Sequence, residues 1–147
     1  MKLSTRGRYG VRALLELALH YGGGPVLIKD IATSQEISPH YLEQIVIVLK
    51  AAGLVKSIRG AKGGITLAKP PSQIRLEEAL QALEGSTAPV ECVDDARVCS
   101  RSSFCVTRDI WIEMKRAMNG VLESMSLQDL VERQRRKEKA EAVMYNI

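Results

Sequence analysis

A mainly α-helical fold carrying one small β-hairpin and, beyond it, a long helix at Asp109–Met125 is what this sequence predicts, on three observations. Apolar residues recur at three- and four-residue intervals through most of the chain, the spacing of a helix with one buried face. Two short β-branched runs, parted by a glycine-rich basic stretch, interrupt that spacing and read as a hairpin. Ser, Thr, Pro and Gly stand where helices should begin and end. With 147 residues, 46% hydrophobic and 26% charged, the chain suits one domain with an added element, and its composition excludes disorder throughout. The longest aliphatic run, Ile45 to Leu49, falls far short of the roughly 18 residues that span a bilayer. The stretch Val11–Tyr21 is interrupted by Arg12, Glu16 and His20 and does not read as a signal peptide, so no membrane association and a cytoplasmic location are expected.

Each element has a local cause. Ser4 or Thr5 caps a first helix whose inward positions are Val11, Leu14, Leu15, Ala18 and Tyr21, and which the run Gly22-Gly23-Gly24-Pro25 must end. Pro25–Ile28 reads as one small strand and Lys29–Gln35 as a short helix. Ser38 as N-cap and Pro39 at the first helical position start a second long helix, with Leu42, Ile45, Val46 and Leu49 inward and Gly53 as a left-handed C-cap. Leu54–Ile58 and Ile65–Ala68 flank Arg59-Gly60-Ala61-Lys62-Gly63-Gly64 as a hairpin, and Pro70-Pro71 close the unit. Leu76–Leu83 is a short helix ended by Gly85, and residues 86–107 are a loop with little periodicity holding all three cysteines. Asp109–Met125 is helical with an apolar stripe, and Ser126 caps a last helix that opens Leu127-Gln128-Asp129-Leu130. The expected division is 1–85, 86–107, 108–131 and a charged tail, 132–147.

The order helix, short helix, helix, basic hairpin is the winged helix-turn-helix pattern, whose third helix enters the major groove of duplex DNA. The charge agrees: residues 1–64 hold nine Lys and Arg against four Asp and Glu, residues 65–147 twelve against thirteen, for a net +4. On the third helix Ser38, His40, Tyr41 and Gln44 fall near the exposed amino-terminal end, where Gln44 can bond adenine bidentately and the others can reach bases or phosphates. Glu43 repels phosphate unless it accepts from cytosine N4, so it either discriminates between sequences or pairs with a lysine. Arg59 and Lys62 are the cations of the hairpin loop, and Arg59 suits a narrow minor groove. The loop lacks the Gly-Lys-Ser/Thr ending of a nucleotide-binding loop and opens no helix, which excludes that chemistry.

Three ordered motifs carry a family likeness: Lys2-Leu3-Ser4-Thr5-Arg6-Gly7-Arg8-Tyr9-Gly10, Ile37-Ser38-Pro39-His40-Tyr41-Leu42-Glu43-Gln44, and Ile58-Arg59-Gly60-Ala61-Lys62-Gly63-Gly64. Together they resemble the Rrf2 family of bacterial winged-helix regulators, which includes IscR, NsrR and CymR types, over about residues 1–130. The resemblance implies a homodimer, built on crossing carboxy-terminal dimerisation helices, that reads a palindromic operator in double-stranded DNA as a transcriptional regulator, here expected to be a repressor. The stripe Ile110-Met114-Val121-Met125 would meet the partner. Ile65 stands where an aromatic commonly follows the wing glycines.

Cys92, Cys99 and Cys105 are spaced too widely for a zinc knuckle. Three thiolates from one loop suit an iron–sulfur core, and they resemble the cluster loop of IscR and NsrR members, which implies a cluster, 2Fe–2S in preference to 4Fe–4S. A redox-sensing disulfide or persulfide switch, and thiols without a role, are the alternatives. Arg108 stands where IscR-type proteins have a histidine, and guanidinium cannot ligate, so the fourth ligand is open. Asp94, Asp95 and Asp109 are local oxygen candidates, with His20 and His40 farther off. No base accompanies a nucleophile and no paired carboxylates occur, so an enzyme is not expected. The rival regulator is CymR-like, controlled by a protein partner or by thiol oxidation. CymR types end in Tyr-Ile and partner O-acetylserine sulfhydrylase; the end Val143-Met144-Tyr145-Asn146-Ile147 implies the same partner, met through Ile147. The other reading of this end is a basic tail without fixed structure.

Overall fold

The computed structural model describes residues 2–146. Its element order is α1 (Thr5–Leu19), α2 (Ile28–Gln35), α3 (Pro39–Ala51), β1 (Val55–Ile58), β2 (Gly64–Leu67), α4 (Leu76–Glu84), a turn of helix α5 (Glu91–Asp94), α6 (Val106–Glu123) and α7 (Leu127–Tyr145). The fold is mainly helical, with a two-stranded antiparallel sheet as the wing, in register Val55↔Leu67 to Ile58↔Gly64. Each cap is local chemistry. The Ser4 hydroxyl accepts from Gly7 N, and Ser38 accepts from Tyr41 N with Pro39 next to it. Ser126 and Asp129 form a reciprocal capping box that starts α7.

Leu14, Ile31, Leu42, Ile45, Leu49 and Leu54 are fully buried where α1, α2, α3 and the hairpin meet. Each such side chain contributes about 1.5–3 kcal/mol relative to exposure. Helix α4 lies against α1 at two glycines. A Cβ on Gly10 would stand 2.5 Å from the Leu83 methyls, and one on Gly7 would overlap the Glu84 carboxylate. That carboxylate accepts from Ser4 N at 2.8 Å and from Ser4 Oγ at 2.6 Å, locking the start of α1 to the end of α4. Leu127 and Val131 are buried in the same core, so the opening turns of α7 pack on the amino-terminal body.

The structure differs from the sequence expectations in three places. Pro25–Ile28 is no strand: Val26 alone bridges Ile65, and Leu27 serves as N-cap to α2. The segment 86–107 is not a plain loop. It holds α5 and a 3-10 turn at Ala96–Val98, and α6 begins at Val106, since Asp95 caps the turn and Asp94 is fixed by Lys115. The charged tail is a continuation of α7 to Tyr145, because Glu132–Lys139 consists of good helix formers with no breaker. Ile147, on which the tail reading depends, lies outside the described residues.

Candidate nucleic-acid interface and cysteine segment

Helix α3 presents its outer face to solvent because its inner stripe of Leu42, Ile45, Val46 and Leu49 is consumed by the core. Ser38, His40, Glu43 and Gln44 are exposed on that outer face, and Arg59 and Lys62 are exposed at the wing tip. The tip can hold its cations out because the return at Gly63 is tight: a Cβ there would stand 2.1 Å from the Ile58 carbonyl oxygen.

Tyr41 is placed differently from its neighbours. It is half-buried and meets Tyr9 of α1 edge-on, with ring centroids 6.0 Å apart. The Arg12 guanidinium stands 5.3 Å from the Tyr9 ring centroid, its Nε donates to Gln35 Oε1 at 3.1 Å, and its Nη2 donates to the Gln35 carbonyl. Gln35 Nε2 in turn donates at 2.8 Å to Glu16, a carboxylate only 9% exposed. These contacts tie the end of α2 and the start of α3 to α1, so the outer face of α3 is held at a fixed angle to the body. Sequence reasoning missed Tyr9, Arg12, Glu16 and Gln35 because their partners lie up to 32 positions away in the chain. It also missed Ile47, which is 60% exposed on α3.

The three cysteines stay in one segment between α4 and α6, and all are free thiols: Cys99 exposed, Cys92 and Cys105 half-buried. Cys105 is the N-cap residue of α6, with its Sγ 3.2 Å from Thr107 Oγ1. That hydroxyl first, then the backbone N–H of Arg108 and the nearby charge of Arg101, holds the Cys105 thiol below the ordinary thiol range. The Arg108 side chain holds the segment's backbone, its Nε donating to the Cys92 carbonyl at 2.9 Å. Two of the oxygen candidates are taken as well: Asp94 accepts from Lys115 Nζ at 2.7 Å, and Asp95 holds the Arg97 guanidinium at 2.9 and 3.0 Å. Both carboxyls are held below their usual range, Asp94 chiefly by Lys115 and Asp95 chiefly by Arg97. His20 is the C-cap residue of α1 and His40 stands on α3, both away from the segment in sequence. Among the described residues no group of three His, Cys, Asp or Glu is gathered closely enough to hold a metal ion. The donor chemistry, three free thiols with one inclined to thiolate, fits an iron–sulfur group in kind, while gathering the thiols requires the segment to rearrange.

Helix α6 has no buried residue, and Val106, Ile110 and Val121 on it are exposed, so it carries an apolar face that this chain alone leaves open. No helix among the described residues is long and apolar enough to cross a membrane.

Comparison with known proteins agrees with this architecture. The Rrf2 family, described as an iron-dependent transcriptional regulator, matches over residues 3–133. Protein rrf2 of Nitratidesulfovibrio vulgaris is 46% identical over 131 residues, 89% of this chain and 87% of that protein. The structure of CymR, described as the global cysteine regulator of B. subtilis, superposes with a TM-score of 0.76 at 42% identity, covering 90% of this chain and 97% of that one. IscR of T. potens also gives 0.76, at 41% identity, covering 91% and 88%. CymR of Bacillus subtilis and IscR of Photorhabdus laumondii, 44% and 39% identical to this chain, are each named an HTH-type transcriptional regulator and not an enzyme. A winged helix with an exposed reading face, a basic wing and matches of this length have one meaning: the chain belongs to the Rrf2 family of transcriptional regulators.

Proposed function

We propose that this regulator is a homodimer that represses transcription from a palindromic operator, with the cysteine segment controlling its affinity. The observation that carries the reading is the gathering of every cysteine between the DNA-binding body and the open apolar face of α6. Ser38, His40, Glu43 and Gln44 read base edges in the major groove, Tyr41 steadies the helix they stand on, and Arg59 and Lys62 engage the backbone or minor groove. One recognition helix reads only a few base pairs, so two copies joined through α6 would supply the two half-sites. Cys92, Cys99 and Cys105 would ligate an iron–sulfur cluster, which when bound supplies a redox-sensitive crosslink within the segment. Rearranging that segment on ligation would shift the spacing of the two reading helices, which couples ligation to operator affinity.

Anaerobic reconstitution tests the cluster. The protein should take up stoichiometric iron and sulfide and turn brown, and the triple Cys→Ser variant should stay colourless. A colourless wild-type protein would transfer the control to thiol oxidation, a second reading that the lowered Cys105 thiol favours. DNA binding is tested separately. Gln44→Ala should cost about 1–3 kcal/mol at one position of each half-site, and Arg59→Ala should lower the salt slope by about 1. Equal binding to random duplex would contradict the reading. Capture of O-acetylserine sulfhydrylase by Ile147 is part of the proposal, supported by the exposed Val143, Met144 and Tyr145 that precede it. Removing Asn146 and Ile147 should abolish co-purification of that enzyme and leave DNA binding intact.

A further inference from the structure

The outer face of α3 carries one side chain that a polar reading set does not explain. His40, Glu43, Gln44 and Ile47 stand at i, i+3, i+4 and i+7, so they form a single stripe along the helix, and all four are exposed. A helix laid in the major groove presents its side chains to base edges at this spacing. Ile47 is 60% exposed, whereas the flanking Ile45 and Val46 are buried and Val48 packs against the core. Folding gives no reason for it. A β-branched residue at an exposed helix position is a poorer helix former than Ala, Lys or Gln, and leaving its hydrocarbon in water is unfavourable.

The base edges of the major groove offer one apolar group, the C5-methyl of thymine. We propose that Ile47 is a specificity-determining residue that packs on a thymine C5-methyl in each half-site, beside the base read by Gln44. Discrimination has two sources. The methyl is buried against the Ile47 side chain, and a cytosine in that place would lose the methyl while pressing its N4 amino donor against hydrocarbon that cannot accept from it. Isoleucine has no donor or acceptor, so purine edges gain nothing from it. The proposal rests on α3 being the recognition helix, and the experiment separates the two.

Duplexes would be selected from a random library with the full-length protein, and each thymine of one half-site of the selected sequence replaced in turn by deoxyuridine, which lacks only the methyl. At one position the wild type should bind the deoxyuridine duplex about three- to tenfold more weakly, while Ile47→Ala binds both within about twofold and Ile47→Val keeps most of the difference. Ile47 belongs neither to the buried core nor to the side chains packed against it, so helix content should be unchanged in both variants. Loss of adenine discrimination in Gln44→Ala reports on the recognition helix independently. If Gln44→Ala loses it while no thymine shows an Ile47-dependent methyl effect, the proposal is overturned and the recognition helix stands. A methyl effect that persists in Ile47→Ala overturns it too. A selection that enriches no sequence overturns both.

Discussion

Cys105 shows how a single residue's chemistry follows from its place at a helix start. The Thr107 hydroxyl, first, and then the backbone N–H groups of Arg108 and Thr107 at the start of α6 act on its sulfur and hold the thiol below its ordinary range. Alkylation by iodoacetamide, followed at Cys105 by peptide mass, should therefore reach half its limiting rate at a pH below that of a free thiol, about 8.5. Thr107→Val should move that midpoint upward, and an unmoved midpoint would remove the hydroxyl from the explanation. Gly10 makes the opposite case, a residue defined by what it lacks. Leu83 is fully buried against it and cannot swing away, so Gly10→Val should destabilise the fold by about 3 kcal/mol through overpacking, read as a lowered midpoint of urea denaturation. Residue-level expectation from sequence worked for Ser4, Ser38 and Ser126, whose partners lie three positions away in the chain. It passed over Ile47, although the inward spacing of Leu42, Ile45, Val46 and Leu49 leaves that residue on the outer face, and it did not foresee the contact of Tyr41 with Tyr9, which is remote in sequence.

At the scale of elements, α7 depends on its first turn. Ser126 is buried, its hydroxyl accepts from Asp129 N, and its own N–H donates to Asp129 Oδ2 at 2.9 Å. Ser126→Ala should therefore lower stability by about 1 kcal/mol, measurable by denaturant titration. The Asp129 carboxyl is held below the usual carboxylate range, first by the Ser126 backbone N–H and then by its hydroxyl. A depressed folded-state value gives a contribution that is present above the unfolded carboxylate value and lost as pH falls through the folded one. The Tm advantage of wild type over Asp129→Asn should accordingly hold at neutral pH and shrink below about pH 4. An advantage that stays constant across that range would show the carboxylate to be uninvolved. The elements themselves were legible from sequence where a cap or breaker is explicit, as in α1, α3, α4 and the hairpin. The turns at Glu91–Asp94 and Ala96–Val98 were not, since Lys115 and Arg97 hold their acidic residues and no apolar periodicity marks them. The helical tail was legible only as a run of helix formers, whose intrinsic preference does not by itself decide between helix and coil.

For the whole molecule, two faces are joined by one segment. The winged helix supplies the proposed reading face, α6 an open apolar face, and the cysteines stand between them in the chain. The proposed dimer follows from the second face: Val121→Glu, placing a carboxylate at an exposed apolar position, should convert the dimer to monomer in sedimentation and weaken operator binding by removing the second half-site. Retention of the dimer would move the interface elsewhere. The winged-helix body could be read from the sequence almost entirely, because its pattern is a fixed order of local elements. The control device could be read only as three cysteines in one stretch, since what gathers thiols is a rearrangement that neither spacing nor caps encode. The most direct test of the account is therefore the affinity for one selected operator duplex, measured at fixed salt for anaerobically reconstituted protein, for the same protein after removal of iron, and for the triple Cys92/Cys99/Cys105→Ser variant. The account predicts that the first differs from the second by about fivefold or more while the variant is indifferent to the treatment. Equal affinities in all three would show that the cysteine segment does not govern DNA binding.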